Sequence, residues 1–468
     1  YIASGAQAEA AGDLQVSYHA GLVSAREEKA LGVNVNFDPC VDILYNWRNT
    51  IVNTRAYGTD AETVIKYTNA YLDGLTAENG ENMEDGVIQC IKHFPGDGTE
   101  ERDQHLVLGV NELSPEEWRA SFGKVYQNHI DRGVEMIMAG HIAVPALQKE
   151  LNSALEDKDI MPATLAEELI QDALKTELGF NGLVITDATH MLGMTSAMRR
   201  EDYVPKSIAA GCDMFLFFNN IAEDFGFMLK GYQNGVITEE RLTDALRRIL
   251  GLKAKLHLPE KQANGTLLRT REDLNVIGCE EHLQWRAEAA DKGISLIKDT
   301  QNNLPINPVD HKRIRLYMLE GEKGGITDNG SKAQQLFVDE LTKRGYEVTV
   351  NERGSRVKGA TLKYRDEVDF ALEVADIAGY GAQNNYRIQW STAMANEVPW
   401  FVWEVPHAFV SLNFTTHLHD ATMVKTFVNA YHNNEETIKQ VIDKLEGKSE
   451  FKGGHNDLVW TDKWQAKL

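Results

Sequence analysis

The chain has 468 residues, 43% of them hydrophobic, which is the length and composition expected of a soluble protein with two or three domains. Its 70 acidic residues exceed its 48 lysines and arginines, and the resulting net charge of −22 argues against nucleic acid as a partner. No apolar run approaches the length of a membrane span. The four cysteines have neither paired spacing nor a metal motif, which is typical of free thiols in a reducing compartment and favours a cytoplasmic location.

The first half of the chain has the sequence pattern of alternating strands and helices. Buried strands are predicted by five short apolar stretches, over residues 33–37, 86–91, 136–139, 183–186 and 214–218. Between the third and fourth stretches, Thr164 and Glu167 form a capping box that predicts the start of a helix, and Gly179 follows the predicted end. Strand, polar strand end and helix in repeated order are typical of a parallel α/β barrel, in which catalytic residues lie where strands end.

The most informative motif follows the second predicted strand. Lys92 and His93 come directly after the apolar run, and Asp103, Gln104 and His105 follow in the next loop. If an aspartate accepts a hydrogen bond from one ring nitrogen of a histidine, the other ring nitrogen is free to transfer a proton. Asp103 and His105 are therefore a candidate acid/base pair.

Several blocks of sequence together resemble the two-domain members of glycoside hydrolase family 3, in their β-N-acetylglucosaminidase branch. The matching blocks are residues 36–42, 55–58, 92–98, 103–105, 138–141, 178–182 and 184–187. Their order and spacing suit the family over roughly the first half of the chain, and the second half is similar to the family's C-terminal domain. The resemblance implies a TIM-type (β/α) barrel followed by a doubly wound α/β sandwich domain.

The resemblance also implies roles for individual residues. Asp187, which follows the fourth strand, matches the family's nucleophile. His105 matches the residue that transfers the proton, and Asp103 matches the residue that orients it. The candidate substrate-binding residues are Arg55, Lys92, His93, Asp42 and His141. His141 is equally open to a structural role, hydrogen bonded in the barrel wall.

The chain departs from the family pattern in three places. Gln104 replaces the usual serine of the dyad, and Asp97 replaces a common histidine and is expected to add negative charge beside the loop. The family's earlier strands, one of which carries a sugar-binding Asp-x-Glu-Gly-Gly arm, have no counterpart before residue 33. We therefore expect an incomplete barrel, with a native N-terminus that precedes Tyr1, because a closed barrel has about eight strands. The alternative is a family member with a reduced barrel.

The implied activity is that of a retaining exo-glycosidase. Such an enzyme would remove terminal β-linked N-acetylglucosamine from cell-wall fragments or chitooligosaccharides, through a covalent glycosyl-enzyme and without a cofactor or metal. A β-N-acetylglucosaminide phosphorylase would use the same dyad, because a neutral imidazole does not repel phosphate as a carboxylate would. A β-glucosidase and a carbohydrate-binding protein that has lost catalysis are further alternatives.

The same residues also allow simpler interpretations. Asp187 alone would suit a helix N-cap after a strand, and Asp103 with His105 would suit a solvated loop. A metal site could be formed by His93, Asp97, Asp103 and His105, but the neighbouring Lys92 would set a cation against the metal.

The predicted domain organisation has three parts. The barrel covers residues 1–255, a turn-rich linker covers 256–283, and the C-terminal α/β sandwich covers 284–468. A helix is predicted over 331–344 in the last part. Strands are predicted there over residues 294–297, 314–319, 347–350, 399–405 and 409–412.

Overall fold

The structure is a computed structural model that describes residues 2–80, 83, 86–321, 331–357, 359–377, 386–460 and 463–468. Its described part divides into two compact units. The first unit contains Ser17–His282 together with Ile2, and the second contains Ala3–Val16 and Leu283–Leu468.

The strands lie in chain order as follows. In the first unit they are β1 (Val35–Asn36), β2 (Ile88–Phe94), β3 (Gly109–Val110), β4 (Met136–Ala139), β5 (Ile142–Ala143), β6 (Leu183–Ala188) and β7 (Met214–Leu216). In the second unit they are β8 (Ser295–Asp299), β9 (Arg313–Glu320), β10 (Glu347–Val350), β11 (Phe370–Asp376), β12 (His407–Ser411) and β13 (Thr426–Asn429).

The α-helices alternate with these strands along most of the chain. Those before β7 are α1 (Gly5–Ala11), α2 (Leu14–Ala30), α3 (Ala61–Thr76), α4 (Pro115–Trp118), α5 (Lys124–Asp131), α6 (Pro145–Leu151), α7 (Leu192–Thr195) and α8 (Arg200–Ala209). Those after β7 are α9 (Ile221–Gln233), α10 (Glu239–Lys255), α11 (Leu258–Asn264), α12 (Glu280–Gly293), α13 (Ala333–Lys343), α14 (Thr361–Glu367) and α15 (Glu435–Leu445). Two π-helical segments cover Arg119–Gly123 and Glu168–Glu177.

The first unit is built on a five-stranded parallel sheet in the order β1-β2-β4-β6-β7. This confirms the five strands predicted from the apolar runs and the barrel-type fold. Within the described residues β1 and β7 each pair with a single neighbour in this sheet, so the sheet is open, as the expectation of an incomplete barrel requires. Parallel strands place their carboxyl ends at one edge, where the residues that follow β1, β2, β4 and β6 meet.

Alternation along the strands buries both faces of this sheet. One face carries Ile88 and Cys90 of β2, Met138 of β4 and Ile185 of β6, which join a single core cluster with Leu256. Intervening residues of the same strands are also buried, which is typical of a parallel sheet covered on both sides. The carboxyl-end residues are therefore held on a rigid support.

Helices α2 and α3 pack together through two glycines. A Cβ atom added to Gly21 would lie 1.9 Å from the carbonyl oxygen of Tyr71, and one added to Gly74 would lie 1.9 Å from the carbonyl oxygen of Tyr18. Since any side chain would collide with backbone at both positions, glycine permits this close crossing.

The structure divides the chain differently from the predicted boundaries. Residues 256–282, most of the predicted linker, belong to the first unit and contain α11. Leu256 is buried in the core cluster of the first sheet, and Leu258 packs against that cluster. Ala3–Val16 belongs to the second unit, in which Ala6 and Ala10 of α1 pack against Tyr431.

The second unit contains a six-stranded sheet in the order β10-β9-β11-β12-β13-β8. Its strands are parallel except for β8, which pairs antiparallel with β13. This is the doubly wound arrangement expected for the C-terminal domain. The predicted strand over 399–405 is wrong: these residues form turns, and Phe401 and Val405 are buried against Tyr317 and Ala371 rather than paired in the sheet.

Among the described residues, the structure has no helix that is both long and apolar enough to cross a bilayer.

Candidate active site

Polar side chains gather at the carboxyl ends of the strands of the first sheet. Lys92 of β2 pairs with Met138 of β4, which in turn pairs with Ile185 of β6. Asp187 follows Ile185 by two residues, so the side chains of Lys92 and Asp187 lie on the same face of the sheet. The structure thus brings the predicted nucleophile close to Lys92 and His93 at the carboxyl end of β2.

Asp187 lies near the end of β6 in a position suited to a nucleophile. Its side chain is 16% exposed, and its Oδ2 lies 3.9 Å from Nε2 of His93. Oδ1 accepts a hydrogen bond of 2.7 Å from the backbone N–H of Ala188. Burial opposes ionisation, but the nearby His93 and the hydrogen bond from the Ala188 N–H outweigh it, so the pKa of Asp187 lies below its ordinary value. The carboxylate is therefore ionised at neutral pH.

A buried hydrogen-bond network holds His93 in place. Nδ1 of His93 lies 2.7 Å from Oδ2 of Asp42, and the backbone N–H groups of His93 and Asp97 donate to Oδ1 of Asp42 over 3.2 and 2.8 Å. The Sγ of Cys40 donates to the same carboxylate over 3.0 Å. Nε2 of His93 then lies 3.3 Å from Nη2 of Arg55.

Asp42 therefore has a positioning role in the structure. Both of its oxygens already accept hydrogen bonds from protein groups, and its side chain is fully buried. Burial alone would raise the pKa of Asp42. The charge of His93 and the hydrogen bond from His93 outweigh this effect, and the pKa of Asp42 is lowered to about 2. In the structure this carboxylate holds His93 in place.

Lys92 and Asp38 form a second polar pair at the same edge. Nζ of Lys92 lies 3.8 Å from Oδ1 of Asp38, whose side chain is 50% exposed. Cys40 bridges to Lys92, which carries the segment after β1 across the end of β2. Asp38 was not among the predicted substrate-binding residues, although its place directly after the first apolar run was the available signal.

The structure forms the predicted pair of Asp103 and His105. Nδ1 of His105 lies 2.7 Å from Oδ1 of Asp103, which also accepts from the His105 backbone N–H over 2.9 Å. The Asp103 side chain is fully buried, whereas that of His105 is 35% exposed. Burial lowers the pKa of His105, but the hydrogen bond and charge of Asp103 outweigh it, so the pKa is raised. His105 keeps its proton to a higher pH than an ordinary histidine.

This geometry predicts a pH effect in an Asp103→Asn variant. Removing the charge should lower the pKa of His105, so the protonated form disappears at a lower pH. The alkaline limb of the kcat/KM profile, measured on a substrate with a poor leaving group, should therefore move to lower pH. An unchanged limb would separate Asp103 from the protonation of His105.

His141 has both ring nitrogens occupied by protein groups. Nε2 lies 2.9 Å from the carbonyl oxygen of Ala188, and Nδ1 lies 2.9 Å from Oγ1 of Thr164. Since a carbonyl can only accept, Nε2 carries the proton and donates it. Burial lowers the pKa of His141, which keeps the ring neutral. The structural interpretation of His141 thus accounts for its contacts, and no ring nitrogen is left for a sugar hydroxyl.

Asp97 is buried beside Asp42 instead of facing the dyad as a free charge. Its Oδ1 accepts from Nδ2 of Asn49 over 2.9 Å and from the Gly98 N–H over 2.6 Å. Burial, and then repulsion from Asp42, raise the pKa of Asp97 to about 8. Burial beside Asp42 therefore favours the protonated form of this carboxyl group and opposes the negative charge expected beside the loop.

An Asp97→Asn variant should gain stability relative to the natural protein as pH rises. A raised pKa means that the folded state binds the proton more tightly, so the natural protein loses stability between the ordinary Asp pKa of about 3.9 and about 8. Urea unfolding of both proteins at pH 4 and pH 9 should show little difference at pH 4 and a clear advantage for the variant at pH 9. A constant difference would contradict the shift.

The metal site considered from the sequence is not assembled. In the described part of the chain, one group of three potential ligands lies close enough for a metal: Cys40, Asp42 and His93, with ligand atoms within 4.8 Å of one another. These atoms already hydrogen bond among themselves, and burial raises the pKa of the Cys40 thiol well above its ordinary value.

Comparison with known proteins places the chain and its fold in a family. The Glycosyl hydrolase family 3 N terminal domain matches residues 3–252. The chain is 39% identical over 473 residues to the β-N-acetylglucosaminidase/β-glucosidase of Cellulomonas fimi, covering 100% of this chain and 82% of that protein. It is 28% identical over 300 residues to β-hexosaminidase A of Pseudoalteromonas piscicida, covering 62% of this chain and 48% of that protein.

Solved structures agree with this relationship. The β-glucoside phosphorylase BglX matches with a TM-score of 0.92 and 37% identity, over 100% of this chain and 82% of that chain. A family 3 β-N-acetylglucosaminidase from Paenibacillus sp. str. FPU-7 shares the fold, with a TM-score of 0.79 and 22% identity over 97% of this chain and 81% of that one. The family match over more than half of the chain confirms the resemblance read from the motifs: this protein is a glycoside hydrolase and belongs to glycosyl hydrolase family 3.

Proposed function

We propose that the protein is a retaining exo-glycosidase that releases terminal β-linked N-acetylglucosamine from cell-wall fragments or chitooligosaccharides. The observation that supports it is the pairing of two groups with opposite protonation states. Asp187 has a lowered pKa and is ionised, and His105 has a raised pKa and keeps a proton. A double displacement needs this combination of nucleophile and acid.

In the first step, a carboxylate oxygen of Asp187 attacks the anomeric carbon while the bond to the departing oxygen breaks. His105 donates its proton to that oxygen, so the leaving group departs as a neutral alcohol and the sugar stays bound to Asp187. In the second step, water gives a proton to His105 and attacks the anomeric carbon, and the carboxylate of Asp187 is released. Each group returns to its starting protonation state.

The groups proposed to hold the sugar lie around this pair. Arg55 and Lys92 offer donors, and Asp38 offers a half-exposed acceptor beside Lys92. His93 lies between Arg55 and Asp42, with both ring nitrogens in contact with these two residues. We assign Asp42 and His141 to positioning, since their polar side-chain atoms are engaged by protein groups. The name of the Cellulomonas fimi relative joins N-acetylglucosaminide and glucoside activities, so we expect β-glucosides to be accepted as well.

Phosphorolysis is the second candidate, because the BglX relative at 37% identity is a β-glucoside phosphorylase. The acceptor in the second step would then be phosphate, and the product would be a sugar 1-phosphate. A deprotonated His105 is neutral, and burial raises the pKa of Asp97 to about 8, so both groups repel phosphate less than ionised carboxylates would.

Product identity distinguishes the two reactions. Aryl β-N-acetylglucosaminide and aryl β-glucoside should each be turned over with and without phosphate, and the products followed by phosphorus NMR. Free N-acetylglucosamine as the main product at every phosphate concentration supports the hydrolase. A sugar 1-phosphate as the main product would replace it with the phosphorylase, and failure to turn over either substrate would contradict both.

A further inference from the structure

The loop that carries the proposed acid/base is attached to two neighbouring segments by three hydrogen bonds. The side-chain Oε1 of Gln104 accepts from the backbone N–H of His141 over 2.7 Å. The carbonyl oxygens of Gln104 and His105 accept from the N–H groups of Gly193 and Leu192 over 3.1 and 3.0 Å. Gln104 is 1% exposed, so its side-chain bond is shielded from water.

The bond made by Gln104 continues toward the proposed nucleophile. Its acceptor oxygen binds the backbone of His141, and the ring of His141 donates to the carbonyl oxygen of Ala188. Ala188 follows Asp187 directly and donates its own N–H to the Asp187 carboxylate. One short path of hydrogen bonds therefore joins the middle of the dyad to the strand end that carries the nucleophile.

Two glycines leave little room for this path to shift. A Cβ atom at Gly140 would lie 3.2 Å from Oε1 of Gln104, and one at Gly193 would lie 2.9 Å from the Gln104 carbonyl oxygen and 2.8 Å from Cβ of His141. These contacts show that the loop, the segment after β4 and the start of α7 are packed closely around Gln104.

We infer that Gln104 is a positioning residue, whose side-chain amide sets the place of His105 relative to Asp187. This inference rests on the proposed acid/base role of His105. Gln104 stands between Asp103 and His105 in the chain, so releasing its side chain removes one of the three hydrogen bonds that hold both members of the dyad in place. A displacement of about 1 Å in a catalytic group can reduce the rate by about 100-fold. Because His105 is the proposed proton donor, loss of the Gln104 side-chain hydrogen bond should mainly affect protonation of the leaving group.

A Gln104→Met variant tests this inference, because methionine has a similar length but lacks the amide oxygen. For this variant, kcat/KM should fall about 10- to 100-fold on an alkyl glycoside, which needs a proton on departure, and far less on a dinitrophenyl glycoside, which does not. The matched control is Gln148→Met. Gln148 is also 1% exposed, and its Oε1 accepts from the Val144 N–H over 3.0 Å, in a segment outside the dyad loop.

The control variant should lower the unfolding temperature without changing the ratio of the two kcat/KM values. Equal losses on both substrates for Gln104→Met, or a ratio no different from that of Gln148→Met, would overturn the inference. Gln104→Ser, which is too short to reach His141, provides a second variant with the same expected ratio. His105→Ala is measured in parallel: if it shows no dependence on the leaving group, the proposed dyad fails, and if it does while both Gln104 variants do not, only the anchor fails.

Discussion

Replacing Asp187 with alanine is expected to reduce turnover by several orders of magnitude while leaving sugar binding largely intact. The carboxylate is the proposed attacking group, and its loss removes the covalent route rather than a binding contact. Steady-state rates on aryl β-N-acetylglucosaminide give the loss of kcat, and the inhibition constant of a non-hydrolysable sugar gives the retained binding. Asp187→Asn should behave in the same way, because it keeps the shape of the side chain but not its nucleophilic charge.

Covalent labelling tests the same assignment independently of rate. A mechanism-based 2-fluoro sugar should attach to Asp187, and peptide mapping by mass spectrometry should locate it there. The Asp187→Ala variant serves as the control and should remain unlabelled. Attachment to the half-exposed Asp38 or to another carboxylate would contradict the role of Asp187.

Replacing His105 with alanine is expected to have the second largest effect, and that effect should depend on the leaving group. Alkyl glycosides need a proton as the glycosidic bond breaks, so their kcat/KM should fall by about 100- to 10,000-fold. Dinitrophenyl glycosides leave without protonation and should be much less affected at this step. Added azide, which needs no base to attack, should restore breakdown of the glycosyl-enzyme and give a glycosyl azide.

The matched control for this prediction is His190→Ala. His190 is exposed, lies three residues from Asp187 and hydrogen bonds to Oδ1 of Asn219 over 3.0 Å. Its replacement should leave the leaving-group dependence unchanged. If His105→Ala reduced kcat/KM equally for both classes of substrate, or if azide gave no glycosyl azide, His105 would not be the acid/base.

Local patterns in the sequence were enough to predict the first sheet and the edge of that sheet where the candidate catalytic residues gather. Apolar runs such as 136–139 and 183–186 are short, bounded and followed by polar residues, which is how a parallel strand ends at a functional edge. The same patterns predicted β9 and β10 in the second unit. The local pattern also predicted the pair of Asp103 and His105, because two residues that are two positions apart in a loop can contact each other whatever the fold of the rest of the chain.

The local pattern was misleading where an apolar segment does not form a strand, or where a strand of the sheet contains a charged residue. Residues 399–405 are mostly apolar and Phe401 packs on Tyr317, yet the segment forms turns and is not a strand. Strand β11 was not predicted, since Glu373 interrupts its apolar run, although every residue of that strand is buried in the sheet. Burial of an irregular segment and burial of a charged residue in a central strand both depend on neighbours that are distant in sequence.

By itself, the sequence determined the family, the parallel strands of the first unit and the positions of Asp187 and the Asp103–His105 pair. The tertiary structure alone decided which polar groups are engaged by the protein. Asp42 is paired with His93 from 51 residues away, and Gln104 binds the backbone of His141 from 37 residues away. The raised pKa of Asp97 likewise follows from its burial beside Asp42. Hydrogen bonding and desolvation depend on atoms that folding brings together from distant parts of the chain, so they cannot be predicted from the local sequence pattern.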